Sequence, residues 1–319
     1  MIEELSSDPQ WERKTLEKLL FNTLKEQKAK RRWSIFFKLL FFAILVSFLI
    51  ILWPNSAKLP NTSKAKSHIG LVDIRGIIAD SAPADADNII EGLQNAFEDK
   101  NTQAVILRIN SPGGSPVQAS QVYQEIRYLR VKHPTIKLYT VCDDLCASAA
   151  YYIASASDDI YASPASLVGS IGVLMDGFGF VDTMKKVGVE RRLLTAGDHK
   201  GFLDPFSPEK PDEKQIALRM TEDIHQQFIN AVKQGRGERL KENSELFSGL
   251  AWTGEKALPL GLIDGFGDLT SLSRDLIKNN NIVDYTVKPG LFQQLTDRLG
   301  ASFAEHISES LGITLKGFQ

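Results

Sequence analysis

Ala104-Val105-Ile106-Leu107-Arg108-Ile109 leads straight into Asn110-Ser111-Pro112-Gly113-Gly114-Ser115-Pro116. The first stretch is a nearly unbroken apolar run, the pattern of a strand buried on both faces in a parallel sheet. The Pro/Gly loop ends it, and residues from about Val117 to Val131 read as a helix. The alternation recurs on both sides. Ile69–Ile74 reads as a strand and about Asp85–Glu98 as a helix, while Ile136–Val141, Asp159–Ala162 and Gly169–Met175 continue the sheet. A short Ala/Tyr-rich helix opens at Ser148. Strands alternating with helices predict an α/β fold with a mainly parallel sheet and flanking helices. Further on, Asp212, Ile216, Met220, Ile224, Phe228 and Val232 recur every fourth residue. They predict a long amphipathic helix over 211–234, leading away from the part just described and used for packing.

With 319 residues, 43% of them hydrophobic, the chain can bury a substantial core. A formal net charge of -2 implies no nucleic-acid surface. The charge asymmetry lies at the N-terminus. Lys25, Lys28, Lys30, Arg31 and Arg32 precede Trp33, and an apolar stretch broken only by Ser47 then runs from Leu39 to Trp53. Trp33 to Trp53 would make about 30 Å of helix, the thickness of a hydrocarbon core, with tryptophans at both interfaces. Lys38 lies near the basic end, where its stem can snorkel to the headgroups. The expected organisation is a cytoplasmic segment at 1–32, a transmembrane helix at 33–53, a Pro/Asn/Ser/Lys-rich stalk at 54–67, a folded domain at 68–277 and a C-terminal extension at 278–319. The basic cluster places the domain on the far side of the membrane. Cys142 and Cys146 read as buried thiols, with a disulfide as the alternative. No Cys/His spacing suggests a metal, and no cofactor is expected.

Adjacent glycines at Gly113-Gly114 let the backbone approach a ligand and turn N–H groups toward it, as an acyl-transfer enzyme needs where a carbonyl oxygen becomes an anion. Ser148, in Cys146-Ala147-Ser148-Ala149-Ala150-Tyr151-Tyr152, has small neighbours that permit close substrate approach. Alone it also reads as an ordinary helix cap. The N–H groups that follow it, beginning with Ala149, could join Gly114 around an oxyanion. A serine needs a base, and a desolvated lysine amine kept clear of carboxylates can serve. Lys200, in Ala196-Gly197-Asp198-His199-Lys200-Gly201, is the candidate, with His199 its rival. Neighbours on an extended chain point to opposite sides, so Asp198 is poorly placed to orient His199 as a triad would require.

The chain resembles the short-form signal peptide peptidases of the SppA type, membrane-anchored serine proteases with a Clp/crotonase-like fold. The resemblance spans about residues 68–277. It rests on Asn110-Ser-Pro-Gly-Gly114, Ala147-Ser148-Ala149-Ala150-Tyr151-Tyr152, Gly169-Ser170-Ile171-Gly172-Val173, Gly197-Asp-His-Lys200 with Asp204-Pro-Phe-Ser-Pro208, and Trp252-Thr253-Gly254-Glu255-Lys256-Ala257-Leu258 leading to Gly261-Leu262-Ile263-Asp264. It implies Ser148 as nucleophile, Lys200 as general base, Gly113, Gly114 and Ala149 at the oxyanion and substrate, and Ser170 hydrogen-bonded to the lysine amine. Many relatives carry Gly-Gly where Ala149-Ala150 stand. It further implies a homo-octamer whose active sites are shared between protomers, at the inner membrane of a bacterium, acting on signal peptides outside the cytoplasm. Two other readings stand beside it. One is crotonase-like chemistry on acyl thioesters, for which no nucleotide loop or paired carboxylate is evident; the other is an inactive oligomeric scaffold.

Overall fold

The computed structural model describes residues 9–52 and 66–288. The chain forms two compact units, divided after Lys64. In the first, α1 (Pro9–Leu52) is one continuous helix. Its apolar side chains, among them Leu20, Phe21, Trp33, Phe37 and Ile44, are exposed. Among the described residues no helix is long and apolar enough to cross a membrane. The span expected over 33–53 ends outside the described residues, as does most of the stalk expected over 54–67.

The second unit is built on β1 (His68–Arg75), β2 (Thr102–Ser111) and β3 (Lys137–Ala147), with β2 paired in parallel to both neighbours. The crossovers are α2 (Ala86–Glu98) and α3 (Pro116–Lys132). Each starts on a side-chain cap: Asp85 accepts from the Asn88 N–H and Ser115 from the Gln118 N–H. One sheet face sends Val72, Ile74, Val105, Leu107, Ile109 and Leu138 into a core with Leu93 and Phe97 of α2 and Val122 and Ile126 of α3. Each large side chain so enclosed contributes about 1.5–3 kcal/mol. The other face carries a smaller cluster of Ile69, Leu71, Ile106 and Val141 with Leu272 and Ile277.

After β3 come α4 (Ala149–Ala154), β4 (Asp159–Ala162) and β5 (Leu167–Gly169). β3 pairs with β4 through Tyr139–Cys142 and with β5 through Leu145–Ala147. The hand-over is a bulge: Ile109 faces Cys142 and Ser111 faces Cys146, so Asp143, Asp144 and Leu145 together stand opposite Asn110. A bulge of this kind re-aims the strand beyond it, which here is the strand that delivers Ser148. The chain then runs through α5 (Val181–Lys186), α6 (Pro211–Arg236), β6 (Ala251–Thr253), α7 (Gly254–Ala257), β7 (Gly265–Phe266), α8 (Leu269–Ser271) and β8 (Ile282–Asp284). The sheet order is β6-β5-β3-β2-β1-β8, with β7 beside β4, and among the described residues only β6 is antiparallel to its neighbour. The architecture is α/β, with a mostly parallel mixed sheet and flanking helices.

Three expectations need correction. The strand expected over Gly169–Met175 stops at Gly169, because Gly169 (φ 95°) and Ser170 (φ 50°) adopt left-handed backbone that a strand cannot continue through. From Gly172 to Asp212 no residue is buried, so this segment is an arm on the surface of the single chain. The helix over 211–234 does not lead away from the core throughout. Phe228, Ile229, Ala231 and Val232 are buried, and the Phe228 ring stacks on Tyr152 of α4 at 4.9 Å between centroids, whereas Leu218 and Met220 toward its start are exposed. The sheet also continues past residue 277, since β8 pairs with β1.

Candidate active site

Ser148 stands between the last residue of β3 and the first of α4, with φ 54° and ψ -127°. A non-glycine residue in this conformation costs about 1–3 kcal/mol and persists only where its surroundings dictate it. Those surroundings are identifiable. The Ser148 N–H donates to the Gly169 carbonyl at 2.8 Å and its carbonyl accepts from the Tyr152 N–H. Behind it every residue of α4 is buried, and the Tyr151 hydroxyl donates to the Leu262 carbonyl at 2.8 Å. Although Ser148 occupies the cap position of α4, its hydroxyl makes no capping bond and no other hydrogen bond among the described residues. The ordinary capping role is therefore absent, and the half-buried hydroxyl is available.

The Gly113-Gly114 turn packs directly on this elbow. A Cβ on Gly113 would lie 2.7 Å from Ser148 Cβ, 2.8 Å from the Ala147 carbonyl oxygen and 2.9 Å from the Ala149 nitrogen. One on Gly114 would lie 2.0 Å from the Ile78 carbonyl oxygen. Both glycines have positive φ, so these positions exclude side chains twice over, by space and by conformation. Ile78 ties the turn down: its N–H donates to the Gly113 carbonyl at 2.9 Å and its carbonyl accepts from the Ser115 N–H at 2.8 Å. The Gly113 N–H donates to Ser111 Oγ at 3.1 Å. Of the two glycines only Gly114 keeps an unpaired N–H, and that of Ala149 is likewise unpaired among the described residues. Two backbone donors thus flank the serine, an arrangement that can hold a developing oxyanion.

Lys200 is not brought to this point within the chain. It lies in an exposed turn of the arm, and no hydrogen bond joins it to Ser148 or Ser170 among the described residues. The Ser170 hydroxyl instead donates to the Gly249 carbonyl at 3.2 Å. His199 is exposed beside Lys200. Asp204, which would keep the amine charged if it reached it, is engaged elsewhere. The Ser207 hydroxyl donates to it at 2.7 Å and Arg191 approaches at 3.4 Å, and together they hold its carboxyl below the ordinary range. A groove of about 1320 Å³ between the arm and α6 is lined by Phe178, Val181, Leu203, Phe206 and Leu218 among others, and contains neither Ser148 nor Lys200.

Three features were missed by reading the sequence. Ser111 and Ile78 anchor the glycine turn, and Arg236 pins α6 to the sheet. The fully buried Arg236 guanidinium donates to both carboxylate oxygens of Asp264 at 2.7 and 2.9 Å and to the Gly261 carbonyl. Asp264 in turn accepts from the Ile160 N–H at 2.7 Å. The Gly261–Asp264 motif is thereby a fastening of the scaffold behind Ser148. Cys142 and Cys146 are free and buried, and burial, with Cys142 alongside, pushes the Cys146 thiol well up.

The profile of peptidase family S49 matches residues 130–282 and that of Clp protease matches residues 71–168, so the two together cover both the glycine turn and the serine elbow. A protein named "Putative protease" from Methanocaldococcus jannaschii is 30% identical over 234 residues, 71% of this chain and 74% of that protein.

The chain belongs to peptidase family S49.

Within the S49 relatives, the chloroplastic serine protease SPPA of Arabidopsis thaliana is 31% identical over 186 residues, 58% of this chain and 27% of that protein. A Brucella abortus protein named Na(+)/H(+) antiporter NhaA is 50% identical over 182 residues, 57% of this chain but 25% of its own length. The chain spans about a quarter of that relative, so the antiporter name describes a protein most of which has no counterpart here.

Proposed function

We propose that this S49 chain is a membrane-tethered serine endopeptidase in which Ser148 is the nucleophile and Lys200 the general base. The observation that carries the reading is the free Ser148 hydroxyl on a strained elbow beside the unpaired N–H groups of Gly114 and Ala149. Ser148 Oγ attacks the scissile carbonyl carbon while its proton passes to the Lys200 amine, and the carbonyl electron pair becomes an oxyanion held by the two N–H groups. Collapse of the tetrahedral species breaks the C–N bond, and the Lys200 ammonium returns the proton to the departing amine. Water then attacks the acyl carbon while its proton passes to the same amine, the C–Oγ bond breaks, and the Lys200 ammonium returns the proton to Ser148 Oγ.

Lys200 is exposed in its own chain, whereas a lysine that serves as a base is desolvated and kept clear of carboxylates, so it needs surroundings that its own chain does not provide. The arm that carries it also exposes Leu174, Phe178 and Leu194, the last at 96%. Both observations support a ring of protomers, eight on the family pattern, in which Lys200 of one chain meets Ser148 of the next. Entry to such a site suits extended or unfolded peptides, including cleaved signal peptides. The exposed apolar side chains of α1 beyond the Lys25–Arg32 basic cluster support a tether in a bacterial inner membrane, with the catalytic domain outside the cytoplasm. The test is hydrolysis of a fluorogenic peptide by the full chain. Loss of activity in Ser148→Ala and Lys200→Met with retention in His199→Ala is expected; retention in Lys200→Met with loss in His199→Ala overturns the dyad.

A further inference from the structure

We propose that Ser111 is a positioning residue for the oxyanion site: its hydroxyl oxygen occupies the Gly113 N–H so that the Gly113-Gly114 turn presents one outward donor, the Gly114 N–H. This rests on the peptidase reading above. Pro112 has no N–H, so the turn offers only those of Gly113 and Gly114. Ser111 is fully buried at the end of β2, opposite Cys146, and its Oγ accepts from the Gly113 N–H at 3.1 Å. On the other side of Gly113 its carbonyl accepts from the Ile78 N–H at 2.9 Å. In a trans peptide the carbonyl and the following N–H point in opposite directions, so this bond directs the Gly114 N–H away from the Ile78 N–H.

The two peptide planes that meet at Gly113 are therefore each held by one bond, one from Ser111 and one from Ile78. Gly113 itself has no side chain to restrain it and sits at φ 105°, with its Cα against Ser148. Removing the Ser111 oxygen leaves a buried N–H without an acceptor, and the peptide can relieve that only by rotating. Rotation of this plane moves Gly113, and with it the direction of the Gly114 N–H relative to Ser148. Because an oxyanion donor acts mainly on the transition state, the loss falls on kcat and spares KM.

The experiment compares the full chain with Ser111→Ala, Ser111→Thr and Ser111→Cys, using a fluorogenic peptide, a peptide aldehyde that forms a hemiacetal with the serine, and amide hydrogen exchange over residues 111–116. Ser111→Ala should lower kcat about 10- to 100-fold, with KM within about twofold. Aldehyde affinity should fall in parallel and protection at the Gly113 amide should be lost. Ser111→Thr keeps the oxygen and should restore most of the rate. If Ser111→Ala does not fold, Ser111→Cys carries the comparison, since a thiol is a weak acceptor and should lower kcat in the same direction. A folded Ser111→Ala or Ser111→Cys with kcat within about threefold of wild type, or a loss confined to KM, overturns the proposal, as does equal impairment in Ser111→Thr. Ser148→Ala runs alongside: if it keeps the wild-type rate, the peptidase reading fails and this proposal with it, whereas an inactive Ser148→Ala beside an unimpaired Ser111→Ala removes this proposal alone.

Discussion

Gly113 Cα rests against Ser148, so close that a Cβ on Gly113 would stand 2.7 Å from Ser148 Cβ. Gly113→Ala must therefore displace the elbow or the turn, both of which are backbone. The variant is expected to lose at least about 100-fold in kcat/KM, the scale set by removing one oxyanion donor, while retaining its secondary structure. Peptide hydrolysis with circular dichroism on the same sample checks this. Activity near wild type would show that the turn and the elbow are not one site.

Arg236 is fully buried and depends on Asp264 for its charge balance. Asp264→Ala leaves that guanidinium unpaired and frees the Ile160 N–H, and is expected to destabilise the catalytic unit by about 3–5 kcal/mol. Urea unfolding is the direct measurement. A change below about 1 kcal/mol would contradict the fastening role assigned to the pair.

The same pair sets an acid limit. Burial alone would raise the Asp264 carboxyl, but hydrogen bonds and charge from Arg236 outweigh it, and the folded-state value lies below the ordinary one. A depressed carboxylate contributes stability that is fully present above about pH 4 and is lost as pH falls through its lower folded value. Unfolding free energy should therefore decline below about pH 4, and Asp264→Asn should show a shallower decline there although it is less stable at pH 7. Parallel slopes for the two proteins would count against it.

How much of this could be read from sequence follows from where each signal resides. The run Ala104–Ile109, the glycine turn and the Ser148 helix start are contiguous, and their local chemistry and period reveal them directly. The Arg236–Asp264 pair joins residues far apart in the chain, and neither looks different from a surface charge until α6 is packed. Ser111 is hidden for another reason: its role depends on which N–H it accepts, and serine beside Pro-Gly is common in plain turns. The strand expected over Gly169–Met175 failed because the left-handed backbone at Gly169 and Ser170 is not legible in the apolar letters that follow, of which Ile171 is buried and Leu174 exposed. Ser170 and Lys200, expected together, share no hydrogen bond among the described residues: Ser170 donates to the Gly249 carbonyl and Lys200 is exposed, and no local pattern in the sequence encodes such a meeting.

Cys142 and Cys146 are buried beneath the elbow, and burial disfavours the reactive thiolate of Cys146. Native protein should resist maleimide labelling at pH 7 and label at both cysteines once unfolded. Mass spectrometry of the two samples decides, and rapid labelling of the native fold would contradict the packing around β3.

In the proposed function Ser148 and Lys200 meet across a protomer boundary, and mixing tests this most directly. Full-length Ser148→Ala and Lys200→Met, each inactive alone, are co-assembled in equal amounts and assayed on a fluorogenic peptide. In a ring whose sites each take one serine and one lysine from adjacent chains, roughly a quarter of the sites regain both groups. Recovery of activity on that order is the expected result; none, with co-assembly demonstrated, would contradict the shared site.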